Sequence, residues 1–457
     1  MSTTTLTGSA GAPGAGAPDA TAADVERAVA AAVEAGRRWA ATPAPERRDV
    51  LRRAAHGLQA RREELVGLVT AETGSIRAKA EAEVADSIEE LHAAAALALH
   101  PTAQVLPSAV PGRSNVVERV PVGVVGVITG WNFPMHLALR IAAPALALGN
   151  AVLVKPAPET PLSGGAGWAD ALTAAGLPDG LLGVLPGRAA GPALVGHANV
   201  DLIHFTGSTA VGREIARIAG GALKRVALEL GGNNPAVVLA DADLERTVPL
   251  TAGGTFVHQG QVCIATGRHI VVADVAEDYL ARLAEHARGL RVGDPAIDPT
   301  VDLGPLISER QAERAQRLVA DTVAQGAELL TGGTREGRYF PATVVAGVRP
   351  GMPLFEEETF APVVAVTVAA DTDEAVALAN ATEYGLSASV FTRDLERGRA
   401  VASRLRAGMV HVNDMTALNE THVPFGGVGA SGVGQRFGGA ANVELLTEQR
   451  WVSVRRL

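Results

Sequence analysis

Two residues of this chain have the side chains and the local surroundings expected of a reactive centre. Cys263 is the single cysteine among the 457 residues, and it ends the polar, glycine-containing segment Gln259–Cys263. A lone cysteine is most often a small buried hydrophobe, but this surrounding is typical of a loop. Glu229 lies among leucines and glycines in Leu228–Gly232, where burying a carboxylate is costly unless it has a use. A cysteine thiolate is a nucleophile and a carboxylate is a general base, so the pair would suit covalent catalysis.

Two further segments could bind a ligand. Asn132 lies in Gly130–Pro134, directly after an apolar run, where an amide in a turn is the ordinary interpretation. Phe205–Thr209 follows an apolar run and precedes a helical pattern, so its backbone N–H groups could bind an anion such as a pyrophosphate. On this segment alone, a helix capped by Ser208 is the simpler interpretation.

Around these segments, apolar runs that predict strands alternate with patterns that predict helices. The predicted strands are Val116–Arg119, Gly123–Ile128, Ala151–Lys155, Leu182–Leu185, Val200–Phe205, Val226–Leu228, Ala236–Leu239, His269–Val272 and Val363–Val368. The predicted helices are one capped by Thr21 with Asp24 at its third position, one around Val50–Leu58, and Ala78–His100, Pro134–Leu148, Ser208–Ala219, Ala276–Arg288, Glu309–Gln325 and Asp373–Asn380. Such alternation predicts parallel βαβ units and a doubly wound sheet. We expect a boundary between two α/β domains near the glycine pair Gly231 and Gly232.

Composition and charge narrow the class of protein. Hydrophobic residues make up 47% and charged residues 19%, as in globular proteins. The net charge of -9 disfavours nucleic acid as a partner, because phosphate binding needs a basic surface. Met1–Ala20 has no apolar core of a signal peptide and is expected to be a flexible tail. The apolar runs are too short to cross a membrane, no metal-ligand spacing is evident, and one cysteine allows no intrachain disulfide; these features favour a cytoplasmic protein.

Taken in order, the motifs resemble those of the aldehyde dehydrogenase superfamily from about Ala23 to Arg456. They are Gly130–Pro134, Lys155-Pro156, Phe205–Thr209, Glu229–Gly232, Gln259–Cys263, Glu357–Pro362 and Pro424–Gly427. Each motif alone is moderately specific, but their order along one chain leaves little room for chance. The resemblance therefore replaces the simpler interpretations of Cys263, Glu229 and Asn132.

The resemblance implies a role for each of these three residues. Cys263 would attack the aldehyde carbon, and the Asn132 amide with the Cys263 backbone N–H would hold the resulting oxyanion. Glu229 would act as general base on the water that hydrolyses the thioester. Relatives that form acyl-CoA typically lack this glutamate, so its presence implies a free carboxylic acid as product.

A nicotinamide cofactor is implied in the same way. The residues expected to contact it are Ile128, Thr129, Trp131, Lys155, Gly187, Gly191, Phe205, Gly207, Ser208, Val211, Leu230, Gly231, Glu358 and Phe360. Pro158 stands where the family often has a glutamate that binds the 2′-hydroxyl of the adenosine ribose, and Glu159 comes one residue later. A missing carboxylate removes repulsion against a 2′-phosphate, so NAD is expected to be preferred and NADP tolerated.

Within the superfamily the chain looks most like the benzaldehyde and vanillin dehydrogenase branch. The residues that carry this likeness are His258, Asn233, Asn234, Arg140 and the segment Asn419–Pro424. The expected substrate pocket is apolar, formed by Phe133, Leu137, Val262 and Phe425, and suits an aromatic or a medium-length aliphatic aldehyde. Arg140 is either a paired structural residue or a contact for a polar substituent on the substrate.

Two alternatives remain open from sequence. One is a succinate-semialdehyde or general aliphatic aldehyde dehydrogenase, for which Arg140 would be the charge-selective residue. The other is a catalytically silent binding or structural protein on the same fold, which the joint retention of Asn132, Glu229 and Cys263 disfavours.

The resemblance also implies a division of the chain. The expected fold is α/β, with a doubly wound cofactor domain, a second α/β catalytic domain and a small β oligomerisation arm. The cofactor domain would span 1–101 and 122–230, the catalytic domain 231–430, and the arm 102–121 and 441–457. Alternating residues in Gln449–Arg456 suit an added strand. We expect a homodimer or homotetramer that acts on a small aldehyde, with no nucleic acid or membrane partner.

Overall fold

The computed structural model describes residues 19–455, and its first part is helical. The helices are α1 Ala22–Ala41, α2 Ala44–Ala60, α3 Arg62–Thr73 and α4 Arg77–Leu97. The predicted cap of α1 is confirmed, because Thr21 and Asp24 form a reciprocal capping box. Helix α3 was not predicted. Most of the expected flexible tail, residues 1–18, lies outside the described residues.

The remaining elements alternate along the chain as the sequence predicts. The strands are β1 Ala103–Leu106, β2 Arg113–Pro121, β3 Val124–Ile128, β4 Ala151–Lys155, β5 Leu182–Val184, β6 Leu202–Thr206, β7 Arg225–Glu229, β8 Asn234–Val238, β9 Thr266–Val272, β10 Glu328–Thr331, β11 Thr343–Ala346, β12 Val363–Ala369, β13 Ser387–Phe391, β14 Met409–Val412, β15 Gly432–Val433 and β16 Thr447–Arg455. The helices are α5 Pro134–Ala147, α6 Gly167–Ala174, α7 Ala190–Gly196, α8 Thr209–Gly221, α9 Leu244–Phe256, α10 Ala273–Gly289, α11 Glu309–Ala324, α12 Pro353–Glu356, α13 Thr372–Asn380, α14 Leu395–Ala402 and α15 Ala441–Leu446.

A six-stranded sheet, in the order β15-β7-β6-β3-β4-β5, forms the first α/β unit. Its strands run parallel except β15, which is antiparallel to β7. Strands β3, β4 and β6 are buried along their whole length, which explains their continuous apolar sequences. The predicted doubly wound fold is confirmed. Because the strands are parallel, Ile128, Lys155, Thr206 and Glu229 all end at one edge of the sheet.

A seven-stranded sheet, in the order β10-β11-β12-β9-β8-β13-β14, forms the second α/β unit. Only the pair β10 and β11 is antiparallel. The chain passes from the first sheet to the second between Glu229, the end of β7, and Asn234, the start of β8. The connection between the two sheets therefore contains Gly231 and Gly232, the glycine pair near which a domain boundary was predicted.

A third sheet is small and antiparallel, in the order β1-β2-β16. Strand β16 pairs with β2 from Thr447 opposite Pro121 to Arg455 opposite Arg113. The strand predicted in Gln449–Arg456 is thus present, with residue 456 outside the described part. Helix α15 precedes β16 and packs near α5 rather than joining this sheet.

Candidate active site

Asn132 lies in the loop that joins β3 to α5. The side chain is buried, and its Nδ2 donates a hydrogen bond of 2.9 Å to the carbonyl oxygen of Gln261. Gln261 is two residues before Cys263, so this bond ties the loop of the first sheet to the loop that carries the thiol. One amide hydrogen of Asn132 is used in this way, and the other remains for a ligand.

Cys263 lies in the loop between α9 and β9. Just before it, His258, Gln259 and Gly260 have φ of 47°, 56° and 68°, a run of left-handed residues that turns the chain sharply. Asn234 fixes the other side of the loop, because its Nδ2 donates to the carbonyl oxygens of Cys263 at 2.9 Å and Ala265 at 2.7 Å. The loop prediction for Cys263 is confirmed.

Glu229 is the last residue of β7 and is buried. Its backbone is held between β6 and β15, where Gly432 stands opposite it. Among the described residues no hydrogen-bond partner reaches its Oε2. Burial raises the pKa of Glu229 to about 8, and the Arg140 and Arg436 guanidinium groups oppose that rise. The raised pKa favours the protonated carboxyl group near neutral pH, so the fraction that can act as a base increases as the pH rises.

The three residues converge on one cleft of about 410 Å³. Its lining is Gly130, Trp131, Asn132, Thr206, Gly207, Ser208, Thr209, Ala210, Glu229, Leu230, Gly231, Cys263, Gln311, Arg314, Glu357, Glu358, Phe360 and Tyr384. Residues far apart in sequence thus present a thiol, an amide and a carboxyl group to the same space. An enzymatic interpretation of the sequence required this convergence.

The electrostatic surroundings of Cys263 are unfavourable for a resting thiolate. Burial raises the pKa of Cys263 to about 12, and the Glu358 and Glu229 carboxyl groups raise it further, while Arg140 lowers it. The thiol therefore needs a base at the moment of attack.

The same cleft can receive an elongated anionic ligand. Helix α8 begins at Thr209 on its wall, and within the described chain the Ser208 side chain makes no capping bond to its first N–H groups. Such free N–H groups favour a phosphate. A Cβ at Gly207 would collide with the Phe205 ring, and one at Gly231 with the Glu358 carboxylate, so both glycines keep the cleft open. These features fit a dinucleotide.

Comparison with known proteins decides the family. The sequence pattern described as the Aldehyde dehydrogenase family matches residues 4–452. The chain belongs to the aldehyde dehydrogenase family. It is 51% identical over 432 residues to a benzaldehyde dehydrogenase (NAD(+)) of Pseudomonas putida, covering 94% of this chain and 88% of that protein. It is 48% identical over 434 residues to a vanillin dehydrogenase of an Amycolatopsis species, covering 94% of this chain and 89% of that protein.

Solved structures agree with this assignment. A salicylaldehyde dehydrogenase from Pseudomonas putida G7, complexed with salicylaldehyde, superposes with a TM-score of 0.93 and is 34% identical, covering 96% of this chain and 91% of that one. The predicted fold and the predicted likeness to the benzaldehyde and vanillin branch are both confirmed. This aldehyde dehydrogenase is an oxidoreductase of a family that uses NAD or NADP.

The predicted cofactor contacts divide into two groups. Those that line the cleft are Trp131, Gly207, Ser208, Leu230, Gly231, Glu358 and Phe360. The rings of Trp131 and Phe360 meet edge to face with centroids 5.3 Å apart. Those outside its lining are Ile128, Thr129, Lys155, Gly187, Gly191, Phe205 and Val211. Lys155 is buried at the end of β4 beside α7, where a Cβ at Gly191 would lie 3.5 Å from its Cδ.

The predicted substrate residues do not line this cleft. Phe133, Leu137, Val262 and Phe425 are largely buried, and all but Leu137 belong to the apolar cluster against which Cys263 packs. The Phe133 ring lies 5.5 Å from the His258 ring, centroid to centroid, next to the thiol loop. Phe133, Val262 and Phe425 therefore share an apolar cluster with Cys263 and do not line the cleft.

Arg140 is a buried cation on α5. Its guanidinium carbon lies 4.2 Å from the Phe437 ring centroid and 4.9 Å from that of Phe425. Within residues 19–455, no carboxylate lies at ion-pair distance, and its Nε and Nη2 have no hydrogen-bond partner. Within the described residues, Arg140 is therefore not the paired structural residue that one of the two predictions described.

Gln311, Arg314 and Tyr384 line the cleft and were missed by the sequence analysis. Arg314 donates to the carbonyl oxygen of Glu358 at 2.8 Å, and Gln311 to that of Phe360 at 2.9 Å. Both residues lie on α11 and hold the loop that presents Glu358 and Phe360. No local motif marks them, because α11 resembles any other amphipathic surface helix.

Two features are absent from the described part of the chain. Among residues 19–455, no helix combines the length and apolar character needed to cross a bilayer. In the same part, no group of three or more His, Cys, Asp or Glu side chains is arranged to hold a metal ion.

Proposed function

We propose that this aldehyde dehydrogenase oxidises an aromatic aldehyde to its carboxylate through a thioester on Cys263. The convergence of Cys263, Asn132 and Glu229 on one cleft carries the proposal. The aromatic substrate class is supported by the benzaldehyde and vanillin dehydrogenases among its relatives and by the salicylaldehyde bound in a similar structure. Apolar residues that share a cluster with the thiol, Phe133 and Val262 among them, suit an aryl ring.

The first step forms a bond between Cys263 Sγ and the aldehyde carbon. Since burial keeps the thiol protonated, its proton passes to the Glu229 carboxylate as the bond forms. The carbonyl oxygen becomes an oxyanion, which accepts hydrogen bonds from Asn132 Nδ2 and the Cys263 backbone N–H. One such donor lowers the barrier by about 3 kcal/mol.

The N-terminus of α8 would hold the pyrophosphate of a bound dinucleotide, and Glu358 and Phe360 would hold its nicotinamide end. When bound, the cofactor would supply the acceptor for the hydride of the aldehyde carbon. Before hydrolysis, Glu229 releases the thiol proton to solvent and becomes a carboxylate again. It then takes a proton from the water that attacks the thioester, and it returns that proton to Sγ as the carboxylic acid is released, which leaves Cys263 as a thiol and Glu229 as a carboxylate. Water rather than CoA is the proposed acyl acceptor, because a carboxyl group that can act as the base lines the same cleft as the sulfur.

We propose NAD as the preferred cofactor, with NADP tolerated. Glu159 is close enough to Lys155 to act on its charge, but it pairs with Arg188 at 3.4 Å, so part of the charge of Glu159 is offset. Arg188 is exposed and could pair with a 2′-phosphate instead. Glu159→Gln should raise the NADP/NAD ratio of kcat/KM by about threefold to fivefold, the effect of one exposed pair. Arg188→Ala should lower it by a similar factor while the aldehyde KM stays constant; an unchanged ratio in both variants would remove this pair from cofactor choice.

A second substrate class is favoured by Arg140 alone. A buried guanidinium without an ion-pair partner in residues 19–455 would suit the carboxylate of a dicarboxylic semialdehyde. A panel of benzaldehyde, vanillin, hexanal and succinate semialdehyde separates the two classes by kcat/KM. We expect the aromatic aldehydes to lead; a tenfold advantage for succinate semialdehyde, about 1.4 kcal/mol, would transfer the assignment to the second class.

We also propose that the three-stranded sheet joins subunits into a homodimer or homotetramer. Its large apolar side chains are exposed, with Val105 at 74%, Trp451 at 67% and Val454 at 54%. Contiguous exposed apolar groups usually mark an interface. Light scattering of the intact chain and of Trp451→Glu should show the oligomer and its dissociation. A wild-type chain that stays monomeric at high concentration contradicts the proposal.

A further inference from the structure

Helix α4 carries a buried ion pair. Lys79 and Glu83 are one helical turn apart, and their side chains are 4% and 0% exposed. Burying two charges costs several kcal/mol per ion unless their other hydrogen-bonding groups are also satisfied. The partners of these two side chains therefore indicate what the pair holds in place.

Lys79 holds the loop of Asn132. Besides its bond to Glu83, Lys79 Nζ donates to the carbonyl oxygen of Asn132 at 2.6 Å. It also lies 4.3 Å from the centroid of the Phe133 ring, over its face. The ammonium group thus contacts both the residue proposed to bind the oxyanion and the residue that follows it.

Glu83 holds the other end of the same segment. Its Oε1 accepts hydrogen bonds from the backbone N–H groups of Met135 at 2.8 Å and His136 at 3.3 Å. These N–H groups belong to the first turn of α5, where a carboxylate is favoured by the helix dipole. The ion pair therefore clamps the backbone on both sides of Phe133, from the Asn132 carbonyl to the start of the helix.

The Asn132 side chain completes the connection to the nucleophile. Its Nδ2 reaches the Gln261 carbonyl two residues before Cys263, so the direction of the amide depends on where its own backbone stands. An oxyanion donor must be placed within a few tenths of an ångström of its working position. Lys79 and Glu83 are far from Asn132 in sequence, but their hydrogen bonds to the backbone on both sides of Phe133 can supply that precision.

We propose that the Lys79–Glu83 pair positions the Asn132 amide for the oxyanion, with Lys79 as the decisive positioning residue. The proposal rests on the function proposed above, in which Asn132 stabilises the oxyanion. Neither charged group touches the reacting atoms. The pair is neutral as a whole, so it fixes the loop without placing a net charge beside the thiol.

The test is a double-mutant cycle between Lys79→Met and Asn132→Ala in the full-length enzyme. Methionine keeps most of the length of the lysine but neither donates nor carries charge. Lys79→Met should lower kcat per active site by about tenfold to a hundredfold, the effect of a misplacement near 1 Å. The KM for the aldehyde should change less than kcat. In the Asn132→Ala background, where no amide remains to be positioned, the same change should cost less than about threefold.

Active sites are counted by titration with the fluorescent reduced cofactor, which unfolded enzyme does not bind, so unfolded enzyme does not enter the comparison. The rate at which iodoacetamide labels Cys263, the single cysteine, should be unchanged by Lys79→Met, because alkylation develops no oxyanion. Arg77→Met is the matched control, since Arg77 lies on the same helix, is 55% exposed and pairs only with surface glutamates. It should retain wild-type kcat.

A second variant serves if the lone Glu83 charge left by Lys79→Met prevents folding. Lys79→Met with Glu83→Gln removes both charges, which usually restores stability, and should still show the loss of kcat. Wild-type kcat per active site in either variant, or an equal loss with and without the Asn132 amide, overturns the positioning role. If Asn132→Ala itself keeps wild-type kcat, the proposed oxyanion function falls and the positioning role falls with it.

Discussion

The loop that presents Asn132 and the loop that presents Cys263 are held by different kinds of side chain. The Asn132 loop is fixed by the buried charges of Lys79 and Glu83. The Cys263 loop is fixed by neutral amides. Gln259 Nε2 donates to the carbonyl oxygen of Pro305 at 3.0 Å, and Asn234 Nδ2 to that of Cys263 at 2.9 Å.

This difference follows from the chemistry of the two functional groups, the amide of Asn132 and the thiol of Cys263. An amide does not ionise, so a neutral ion pair can fix its backbone without changing its protonation. A thiol must ionise to react, and any fixed carboxylate beside it raises its pKa. The pKa of Cys263 is already raised to about 12, so a supporting anion would weaken the nucleophile further. Amides give the loop hydrogen bonds without that penalty.

The largest loss of activity is expected from removing the thiol of Cys263, whose loop is fixed by neutral amides. Cys263→Ser replaces the thiol with a hydroxyl that neither the loop nor Glu229 can ionise near neutral pH. We expect kcat, measured by the appearance of reduced nicotinamide, to fall about 10⁴-fold or more, as for other covalent nucleophiles. Binding of the cofactor, followed by its fluorescence, serves as the control and should be retained. Substantial turnover by the serine variant contradicts the assignment of the nucleophile.

Glu229 lies in neither loop. Replacing it tests the general base that the proposed reaction requires. In the intact enzyme, kcat should rise with pH through about 8, because the carboxyl group must lose its proton before it can accept one from water. Glu229→Gln should lower kcat by about 10²- to 10⁴-fold and abolish that rise. Intact steady-state activity with the same pH profile in the variant would assign the base to another group.

The smallest effect is expected from adding a charge to the Cys263 loop, and it is measured as the rate of Cys263 alkylation. Gln261 is buried, and its Oε1 accepts a bond from the Ile307 N–H at 2.9 Å. Gln261→Glu keeps that acceptor but adds a carboxylate, which is ionised above roughly pH 9. There we expect Cys263 alkylation to slow about tenfold, a rise of one unit in the thiol pKa. Gln261→Met, which removes the bond without adding charge, should alkylate near the wild-type rate; equal slowing in both variants would mean that the bond, not the charge, matters.

Much of this architecture could be predicted from the sequence. Continuous apolar runs such as Ala151–Lys155 identify the buried parallel strands, because both faces of such a sheet are covered. Glu229, Asn132 and Cys263 could be singled out because a polar or reactive residue directly after a buried strand, or in a glycine-rich loop, needs a reason to be there. The elements that were not predicted have weak or brief apolar patterns; they are the helices α3, α6, α7, α9, α12, α14 and α15 and the strands β1, β10, β11, β13, β14 and β15.

The supports of the site could not be predicted in the same way. A lysine and a glutamate four residues apart on a helix, as Lys79 and Glu83 are, normally form an exposed surface pair. Here α5 packs over them, and that burial depends on a contact between helices separated by the whole β1–β2 hairpin. Gln311 and Arg314 escape notice for a similar reason, because their partners near Glu358 are far along the chain.

Because Cys263 is the single cysteine of this protein, it also determines how oxidants inactivate the enzyme. Peroxide converts a thiolate to a sulfenic acid, which cells normally rescue when a second thiol condenses with it to a disulfide. This sequence offers no second cysteine, so rescue depends on a small thiol diffusing into the cleft before the sulfur is oxidised irreversibly to the sulfinic acid. The high pKa of Cys263 keeps the resting sulfur protonated and slow to react. Peroxide should therefore inactivate the resting enzyme slowly near neutral pH and faster as the pH rises.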